Sequence, residues 1–482
     1  MELKGAFNPS RCEIVSAEIA KFGNAIGNKD NANLRAMIAS FQISQSVNNS
    51  ALSGTLQVYD SIGLLEDMPI RGEETLNLVI KSYDMQTEID LDCHVYKVDD
   101  VNISDDQSGL AYTLHWVTKT SFEASKRSFI TAYINETASS IVKKIFTKYY
   151  HKDEQLAPYI NYSTRAKKFP DGTLKYNLKN SPGRHLIIEK TEELMQLTIP
   201  DMTPAQAIQF VARRTFGKQP NAGSSFRFFE TYDGYYFVSD EWLYLYGADN
   251  PIATFNYGAF ISLDPNDAYE QITGFSQFGN PSRVDVGNEM ASGAYNVTIV
   301  EVDILKRTHK RHNYNYRETF LPKFKDITGQ SASIKNDRHS EDFIKETFTD
   351  ENARQYMIIR DYKDDNSSKA FRADAHFRNL AAQRTFYKNH AQSTSVIGVT
   401  EGRLDVSAGD IVRVNTSAKN VSTDKTINPQ LSGRFLVTNV ENDVSDGILK
   451  TVLQMFKYDW SDAGKDTGKR ATKKVEVLRS GR

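Results

Sequence analysis

Cysteine is nearly absent from this chain of 482 residues, which contains only Cys12 and Cys93. Neither lies in a CxxC pattern, and two thiols cannot build a disulfide framework, so we expect both to be inert and the chain to assemble in a reducing compartment. No run of about 18 apolar residues occurs, which predicts no membrane-spanning helix. The opening stretch MELKGAFNPSRCEIV has no apolar core of the kind found in secretory signals, so we expect no signal there.

An excess of charge of one sign is also lacking, because 59 Lys and Arg nearly balance 61 Asp and Glu, and the formal net charge is −2. This balance excludes a global attraction to nucleic acid or to an anionic membrane surface. The sequence has no GxxxxGK(S/T) or GxGxxG phosphate loop and no GxSxG nucleophile elbow. We therefore predict no catalytic residue, no cofactor and no metal site.

Adjacent acids fall mostly in predicted turns, where they favour local hydrogen bonds over the paired carboxylate chemistry of a glycosidase. They are Glu73–Glu74, Asp99–Asp100, Glu192–Glu193 and Asp364–Asp365. His309 and His312 have a spacing that can suit zinc, yet their neighbours in KRTHKRHNYNYR are basic and repel a cation. The same stretch mixes basic and aromatic residues, so it indicates either nucleic-acid contact or a solvated basic arm that contacts an acidic protein surface.

Strict alternation dominates the first quarter of the chain. In LSGTLQVYD, one face would carry Leu52, Gly54, Leu56 and Val58, and the other Ser53, Thr55, Gln57 and Tyr59. A period of two predicts a strand with one buried face. Similar runs up to residue 118, separated by turns such as Asp99–Asp100, predict five or six strands over residues 10–118 and hence an antiparallel barrel or sandwich.

A helical period follows this first block. INETASSIVKKIFTKYY predicts a helix with Asn135 as its N-cap, and MTPAQAIQFVARRTF predicts a second, capped by Thr203 with Pro204 at its first position. Residues 151–198 are polar and predict a long loop. Asp233–Gly234 predicts a hairpin between aromatic strands. Residues 119–262 therefore predict one α+β domain.

Strands resume after residue 262. AYNVTIVEVDI would place Tyr295, Val297 and Ile299 on one strand face, residues 306–370 predict an irregular charged arm, and KAFRADAHFRNLAAQRTFYKNH predicts a helix. Further strands reach Trp460, and the basic residues 461–482 predict a flexible tail. Gly72–Glu73 and Gly409–Asp410 each form a glycine–acid turn that leads into a hydrophobic strand. This repeated pattern favours two related barrels.

Several segments, in this order, resemble the baseplate hub protein of contractile-tailed phages and the related hub portion of type VI secretion spike proteins. They are LSGTLQVYDSIGLLEDMPIRGEETLNLVI, LAYTLHWVTKTSFEASKRSFITAYINETASSIVKKIF, LTIPDMTPAQAIQFVARRTF, RNLAAQRTFYKNHAQSTSVIGVTEGRLDVSAGDIVRVN and GRFLVTNVENDVSDGILKTVLQMF. The resemblance covers most of the chain in patches and rests on turns and hydrophobic spacing. The arm near residues 306–370 and the basic tail depart from it.

The resemblance implies an α+β, mainly β fold with two similar antiparallel tube-type β-barrels and accessory α+β domains. The expected domains are residues 1–118 (first barrel), 119–262 (α+β), 263–300 with 371–460 (second barrel), 301–370 (insertion or arm) and 461–482 (tail). It also implies a homotrimer whose six quasi-equivalent barrels adapt a three-fold central spike to a six-fold tail tube. The implied partners are the spike, the tail tube and other baseplate proteins, with DNA passing through the lumen. The implied location is the virion tail baseplate, assembled in the host cytoplasm.

On this interpretation the candidate lumen or subunit-interface residues are Thr55, Gln57, Tyr59, Gly72, Glu73, Gly409 and Asp410. Two other classes of function stay open. A cell-wall-degrading tail enzyme would need a compact helical block with an acid in a cleft, and no such block is evident. A nucleic-acid-binding protein would use the basic stretch near residues 306–317 and the tail, and its binding would depend strongly on salt.

Overall fold

The structure is a computed structural model in which strands dominate and most strand pairs are antiparallel. It describes residues 10–21, 31–82, 88–103, 109–150, 159–160, 186–191, 194–217, 223–232, 234–248, 251–258, 273–282, 285–304, 307–315, 346, 354–359, 381–386, 395–417, 428 and 431–457. The expected fold class, α+β and mainly β, is confirmed. The basic tail, residues 461–482, lies outside the described residues, as does most of the predicted arm.

The strands are β1 (Cys12–Ala20), β2 (Asn31–Asn33), β3 (Ile38–Ser46), β4 (Ser53–Asp60), β5 (Thr75–Ser82), β6 (Glu88–Ile103), β7 (Leu110–Thr118), β8 (Phe129–Thr137), β9 (Tyr159–Ile160), β10 (Leu186–Ile188), β11 (Leu194–Met202), β12 (Phe226–Thr231), β13 (Gly234–Ser239), β14 (Ala253–Tyr257), β15 (Gln277–Ser282), β16 (Asn296–Asp303), β17 (Thr308–Asn315), β18 (Arg354–Ile359), β19 (Ser395–Glu401), β20 (Ile411–Thr416), β21 (Gly433–Ser445) and β22 (Ile448–Phe456). The helices are α1 (Leu64–Asp67), α2 (Lys119–Ser125), α3 (Ala138–Tyr149), α4 (Pro204–Ala212), α5 (Asp240–Ala248) and α6 (Val286–Ser292). Residues 381–386, inside the helix predicted from KAFRADAHFRNLAAQRTFYKNH, are also helical.

One large sheet of thirteen strands connects the two ends of the chain. Its order is β15-β19-β22-β21-β3-β4-β7-β6-β5-β1-β2, and β20 and β14 extend from β21. Three smaller sheets are described beside it: β12-β13-β10-β9, the ribbon β11-β8, and β17-β16-β18. Strands from both ends of the chain therefore share one hydrogen-bonded layer.

The strands of the first quarter alternate as predicted, with Leu56 and Val58 buried and Gln57 and Tyr59 exposed. The predicted turn at Asp99–Asp100 is wrong. β6 continues through these residues, and its pairing with β7 shifts by one residue between Asp99 and Asn102. Asp100 takes a left-handed φ of 52°, which aspartate tolerates better than most residues, so the two acids mark a bulge inside a strand.

Helix α3 begins two residues later than predicted. Asn135 still belongs to β8, because that strand pairs with β11 as far as Thr137. Thr137 is the N-cap, and its hydroxyl oxygen accepts a hydrogen bond from Ser140 N at 3.2 Å. Helix α4 begins as predicted, since Thr203 and Gln206 form a reciprocal capping box with Pro204 in the first turn.

The predicted loop over residues 151–198 contains buried strand structure. Leu186, Ile187 and Ile188 form β10, which runs parallel to β13 in the interior of the four-stranded sheet. Residues 161–185, the most polar part of that segment, lie outside the described residues. A buried strand of three residues has no measurable periodicity, so the pattern could not reveal it.

Two strands lie in different sheets from those expected. β16, assigned from its alternation to the second barrel, instead forms the centre of a three-stranded sheet with β17 and β18. Val297 and Ile299 on β16 pack against Ala382 and Phe386 of the helical segment. β14, expected in the α+β domain, pairs in parallel with β20 of the large sheet.

Candidate functional site: a polar sheet face shared by two repeated strand sets

Two sets of six strands have the same order within the large sheet. The first set is β3-β4-β7-β6-β5-β1, and the second set is β15-β19-β22-β21-β20-β14. They differ at one end, where β1 runs antiparallel to β5 but β14 runs parallel to β20. The central four strands follow one another along the chain in the same way in both sets, so the chain contains an internal structural repeat.

The repeat holds at the level of single residues. An extra residue interrupts the pairing of β6 with β7 and of β21 with β22 at the same point, Tyr96 in the first set and Thr438 in the second. The flanking pairs are Val95–Trp116 and Lys97–His115 in the first set, and Val437–Met455 and Asn439–Gln454 in the second. Bulges are specific features of a strand pair, so their coincidence supports true equivalence of the two sets.

A tight glycine turn precedes the equivalent strands β5 and β20. Gly72 has a φ of 86° and Gly409 a φ of 90°, a region that glycine enters without steric cost. The residue directly before each strand is a buried acid, Glu74 or Asp410. Each carboxylate accepts a backbone N–H from three residues earlier, from Arg71 at 2.9 Å and from Ser407 at 2.8 Å. The acid equivalent to Asp410 is therefore Glu74; Glu73, chosen from the sequence, has an exposed side chain.

The two sets are joined edge to edge through β21 and β3. The first part of β21 pairs with β20, and its second part, from Asn439 to Ser445, pairs antiparallel with β3 from Ser46 to Ser40. The tip of the β21–β22 hairpin also reaches β1, because Cys12 N donates to Gly447 O at 2.9 Å. One hairpin thus supplies strands to both sets.

This hairpin contributes side chains to both hydrophobic cores. Val444 and Leu449, near its tip, lie in the core of the first set, whereas Val440 and Leu453 lie in the core of the second. All four are at most 4% exposed. Fully burying one such side chain stabilises a protein by about 1.5–3 kcal/mol, so separating the two sets would cost several such contributions. We conclude that the two sets form one structural unit.

One face of the sheet carries small polar side chains on both sides of this junction; we call it the junction face. Its polar residues are Ser40, Gln42, Ser44 and Ser46 on β3, Ser53, Thr55, Gln57 and Tyr59 on β4, Lys97 and Asp99 on β6, Thr113 and His115 on β7, Asn439, Glu441, Asp443 and Ser445 on β21, and Lys450 and Gln454 on β22. Four apolar residues, Ala111, Val117, Ile448 and Val452, lie on the same face. Ser40 Oγ donates to Gln57 Oε1 at 2.8 Å, and Ser46 Oγ donates to Asn439 Oδ1 at 2.6 Å. Side-chain hydrogen bonds therefore cross between neighbouring strands, including across the junction.

The junction face carries the charged side chains of Lys97, Asp99, Glu441, Asp443 and Lys450. Lys97 donates to Asp99, and this contact holds the pKa of the Asp99 carboxyl below its usual range and raises the pKa of Lys97. Glu441 and Asp443 on β21 face Lys450, which lies directly opposite Asp443 on β22. The face therefore presents mostly hydroxyl and amide groups, with acids slightly outnumbering bases.

The structure separates the predicted site residues into two groups. Thr55, Gln57 and Tyr59 lie together on the junction face. The glycine turns lie elsewhere, at the starts of β5 and β20. A Cβ added at Gly409 would lie 3.0 Å from the Phe229 ring of β12, and one added at Gly72 would lie 3.0 Å from Tyr96 O. Both turns therefore touch neighbouring backbone or core.

A buried acid that the sequence did not single out links the middle of the chain to the first set. Glu230 on β12 is 0% exposed, and its Oε2 accepts hydrogen bonds from Leu52 N at 2.7 Å, Thr118 Oγ1 at 2.8 Å and Ser121 Oγ at 2.9 Å. An acid within an aromatic strand gives no sequence signal of this role, because its partners lie more than 100 residues away in the chain.

The described residues contain no group of three or more His, Cys, Asp or Glu that could hold a metal ion. His309 and His312 both lie on β17, where a spacing of three directs their side chains to opposite faces. Cys12 and Cys93 are free and buried, and burial raises the pKa of the Cys12 thiol to about 12. Among the helices of the described part, none is long and apolar enough to cross a membrane.

No protein-family model and no curated protein matches this chain. Its fold is similar to that of a tail protein from Neisseria meningitidis, at 11% identity and a TM-score of 0.48, over 92% of this chain and 96% of that one. A 43 kDa tail protein of prophage MuSo2 from Shewanella oneidensis is similar at 9% identity and a TM-score of 0.48, over 93% and 99%. A component of the E. coli type VI secretion system is similar at 8% identity and a TM-score of 0.41, over 88% and 74%. These identities are too low to transfer any residue's role.

Proposed function

We propose that this chain is a structural baseplate hub protein of a contractile phage tail. In this proposal, three copies form a ring of six similar strand sets that adapts a three-fold central spike to a six-fold tail tube. The observation that carries the proposal is the β21–β3 junction, where two repeated sets join in one continuous sheet within a single chain. Two equivalent sets per chain give a three-fold assembly six similar positions, which is what such an adaptor requires.

The junction is a head-to-tail contact, because different strands of the two equivalent sets meet there. Repeating a head-to-tail contact produces a closed ring when the rotation between neighbours divides a full turn, and an open helix otherwise. We propose that the rotation here is close to one sixth of a turn. Burial of Val444 and Leu449 in the first core supports a fixed angle, since a loosely tethered pair of barrels could not set the geometry of a ring.

We propose that the junction face lines the channel of this ring. Its two lysines, Lys97 and Lys450, each lie beside an acid, Asp99 or Asp443, so the face would give DNA no cluster of cations to bind. Affinity for the nucleic-acid backbone comes mainly from Lys and Arg that neutralise phosphates. A channel with this lining would let DNA pass without holding it.

We propose a non-enzymatic role for the chain. Glu74, Glu230 and Asp410 are buried acids, but each already accepts backbone or hydroxyl hydrogen bonds that hold the fold together. The partners proposed are the central spike, the tail tube and other baseplate proteins. The location proposed is the baseplate of the virion tail, after assembly in the host cytoplasm.

The test is the solution mass of the purified chain by light scattering, alone and mixed with a candidate spike protein, with electron micrographs of each sample. We expect a species of three chains in at least one condition, visible as a ring with a central channel. A strict monomer in both conditions, without rings, would contradict the proposal, and a zymogram for cell-wall hydrolysis would then test the enzymatic alternative.

A further inference from the structure

The internal repeat leaves two strand edges open in a single chain. β6 pairs with β5 only as far as His94, and beyond Val95 that edge has no strand partner among the described residues. The equivalent part of β21 is covered by β3. β15, the equivalent of β3, pairs with β19 on one side and is the end strand of the described sheet. If the repeat continued, β6 would pair with β15 as β21 pairs with β3, and both β6 and β15 are open on the side where this pairing would occur.

Apolar side chains on these edges are exposed where their equivalents are buried. Ile103 pairs with Leu110 on β7, and Val444 pairs with Leu449 on β22. Leu110 and Leu449 occupy equivalent positions in the two sets, so Ile103 is the equivalent of Val444. Ile103 is 70% exposed, whereas Val444 is 4% exposed. Likewise Phe278 on β15, the equivalent of the buried Phe41, is only partly covered. A free edge with exposed apolar residues promotes pairing with another chain.

The register of the missing contact follows from the one that is present. At the junction, Glu441 lies opposite Ser44, Asp443 opposite Gln42 and Val444 opposite Phe41. Replacing each residue by its equivalent gives Asp99 opposite Ser282, Asn102 opposite Gly279 and Ile103 opposite Phe278.

The irregularities of the two strands also fit this register. β6 has one extra residue between Asp99 and Asn102, and β15 has one between Gly279 and Ser282. The two extra residues fall at the same point of the inferred pair, so they compensate and the two strands match one to one. In this register Asp100, which has a φ of 52°, falls opposite Pro281, so the irregular positions of the two strands coincide and this position lacks one N–H donor.

We propose that residues 99–103 of β6 pair antiparallel with residues 278–282 of β15 in a second copy of this chain. This inference rests on the proposed function and specifies how the ring closes. Each chain contributes one junction within itself and one junction to its neighbour. Ile103 and Phe278 become covered in the assembled protein, and the junction face continues from one copy to the next.

Cysteine pairs test this register directly. N102C and G279C place thiols at directly opposite positions, where Cα atoms of antiparallel strands are about 4.5–5.5 Å apart and within disulfide range. A Cβ added at Gly279 meets no atom within 4 Å, so the substitution fits. Mild oxidation of the double variant should give two-chain and three-chain species on non-reducing gels. Mixing the N102C chain with the G279C chain should give only dimers containing one of each.

The matched control pairs N102C with Q277C, which lies on the same strand face but two residues out of register. Its diagonal separation of roughly 7–8 Å exceeds disulfide range, so we expect little cross-linking. Three-chain rings without the N102C–G279C cross-link would overturn this inference and leave the proposed function standing. Cross-links in open polymers, without rings, would support the edge pairing but contradict the three-chain hub. The absence of both rings and cross-links would overturn both this inference and the proposed function.

Discussion

The shared β21–β22 hairpin predicts that one residue near the C-terminal end of the described chain stabilises the N-terminal strands. Leu449 and Leu453 lie four residues apart on β22, and both are 0% exposed. Leu449 packs in the core of the first set and Leu453 in the core of the second. L449A and L453A therefore remove the same atoms from the same strand but from different cores.

Each substitution should lower the free energy of unfolding by about 2–5 kcal/mol, the range for a buried leucine replaced by alanine. The two effects should appear in different places. L449A should speed amide hydrogen exchange in β1 and β3, whose core residues Cys12 and Phe41 share its cluster. L453A should speed exchange in β19 and β20, around Val396 and Val412.

Hydrogen exchange followed by mass spectrometry, with peptides resolved over these strands, is the assay. L449A and L453A serve as controls for each other, since both leave a cavity of similar size in β22. If L449A left exchange in β1 and β3 unchanged and affected only the second set, the hairpin would not belong to the first core. The two sets would then not form one structural unit.

Two further predictions concern buried acids. E230A should destabilise the contact between β12 and the first set by roughly 2–4 kcal/mol, because Leu52 N loses its buried acceptor. E230Q should cost about half as much, because its amide oxygen can still accept a hydrogen bond. The amide of Leu52 should exchange faster in E230A than in E230Q, and equal rates would contradict the role of Oε2. Burial raises the pKa of Glu189 to about 8, so the unfolded chain releases this proton first, and stability should fall as the pH rises from about 4.5 to 8, by up to about 1.4 kcal/mol per unit. Urea unfolding across this range should show that slope in the natural protein and a weaker one in E189Q; identical slopes would show that Glu189 is not its source.

Local patterns in the sequence predicted local structure well. The alternation around Thr55 and Gln57 identified a strand and its outward face, because burial of one face leaves a period of two. Thr203 and Pro204 marked the start of α4, since both lie within its first turn. The error at Asn135 came from a competing long-range contact, the pairing of β8 with β11.

Sheet membership could not be read from the same patterns. β16 alternates as a barrel strand would, yet its partners β17 and β18 lie outside the large sheet. The residue-level repeat was also hidden, because equivalent positions differ chemically: Trp116 corresponds to Met455, and Leu56 corresponds to Gly398. Only backbone pairing, a property of residues distant in the chain, reveals the equivalence.

Because the β21–β22 hairpin completes the first core, this core can form only late in synthesis. Strands β1 to β7 leave the ribosome early, but Val444 and Leu449, which finish their core, are made more than 300 residues later. Contacts between such distant residues form slowly, and until then the edge of β3 stays open. A nascent chain thus cannot present a finished first set to another copy before its own second set has been made. Synthesis order itself then favours pairing within the chain before pairing between chains.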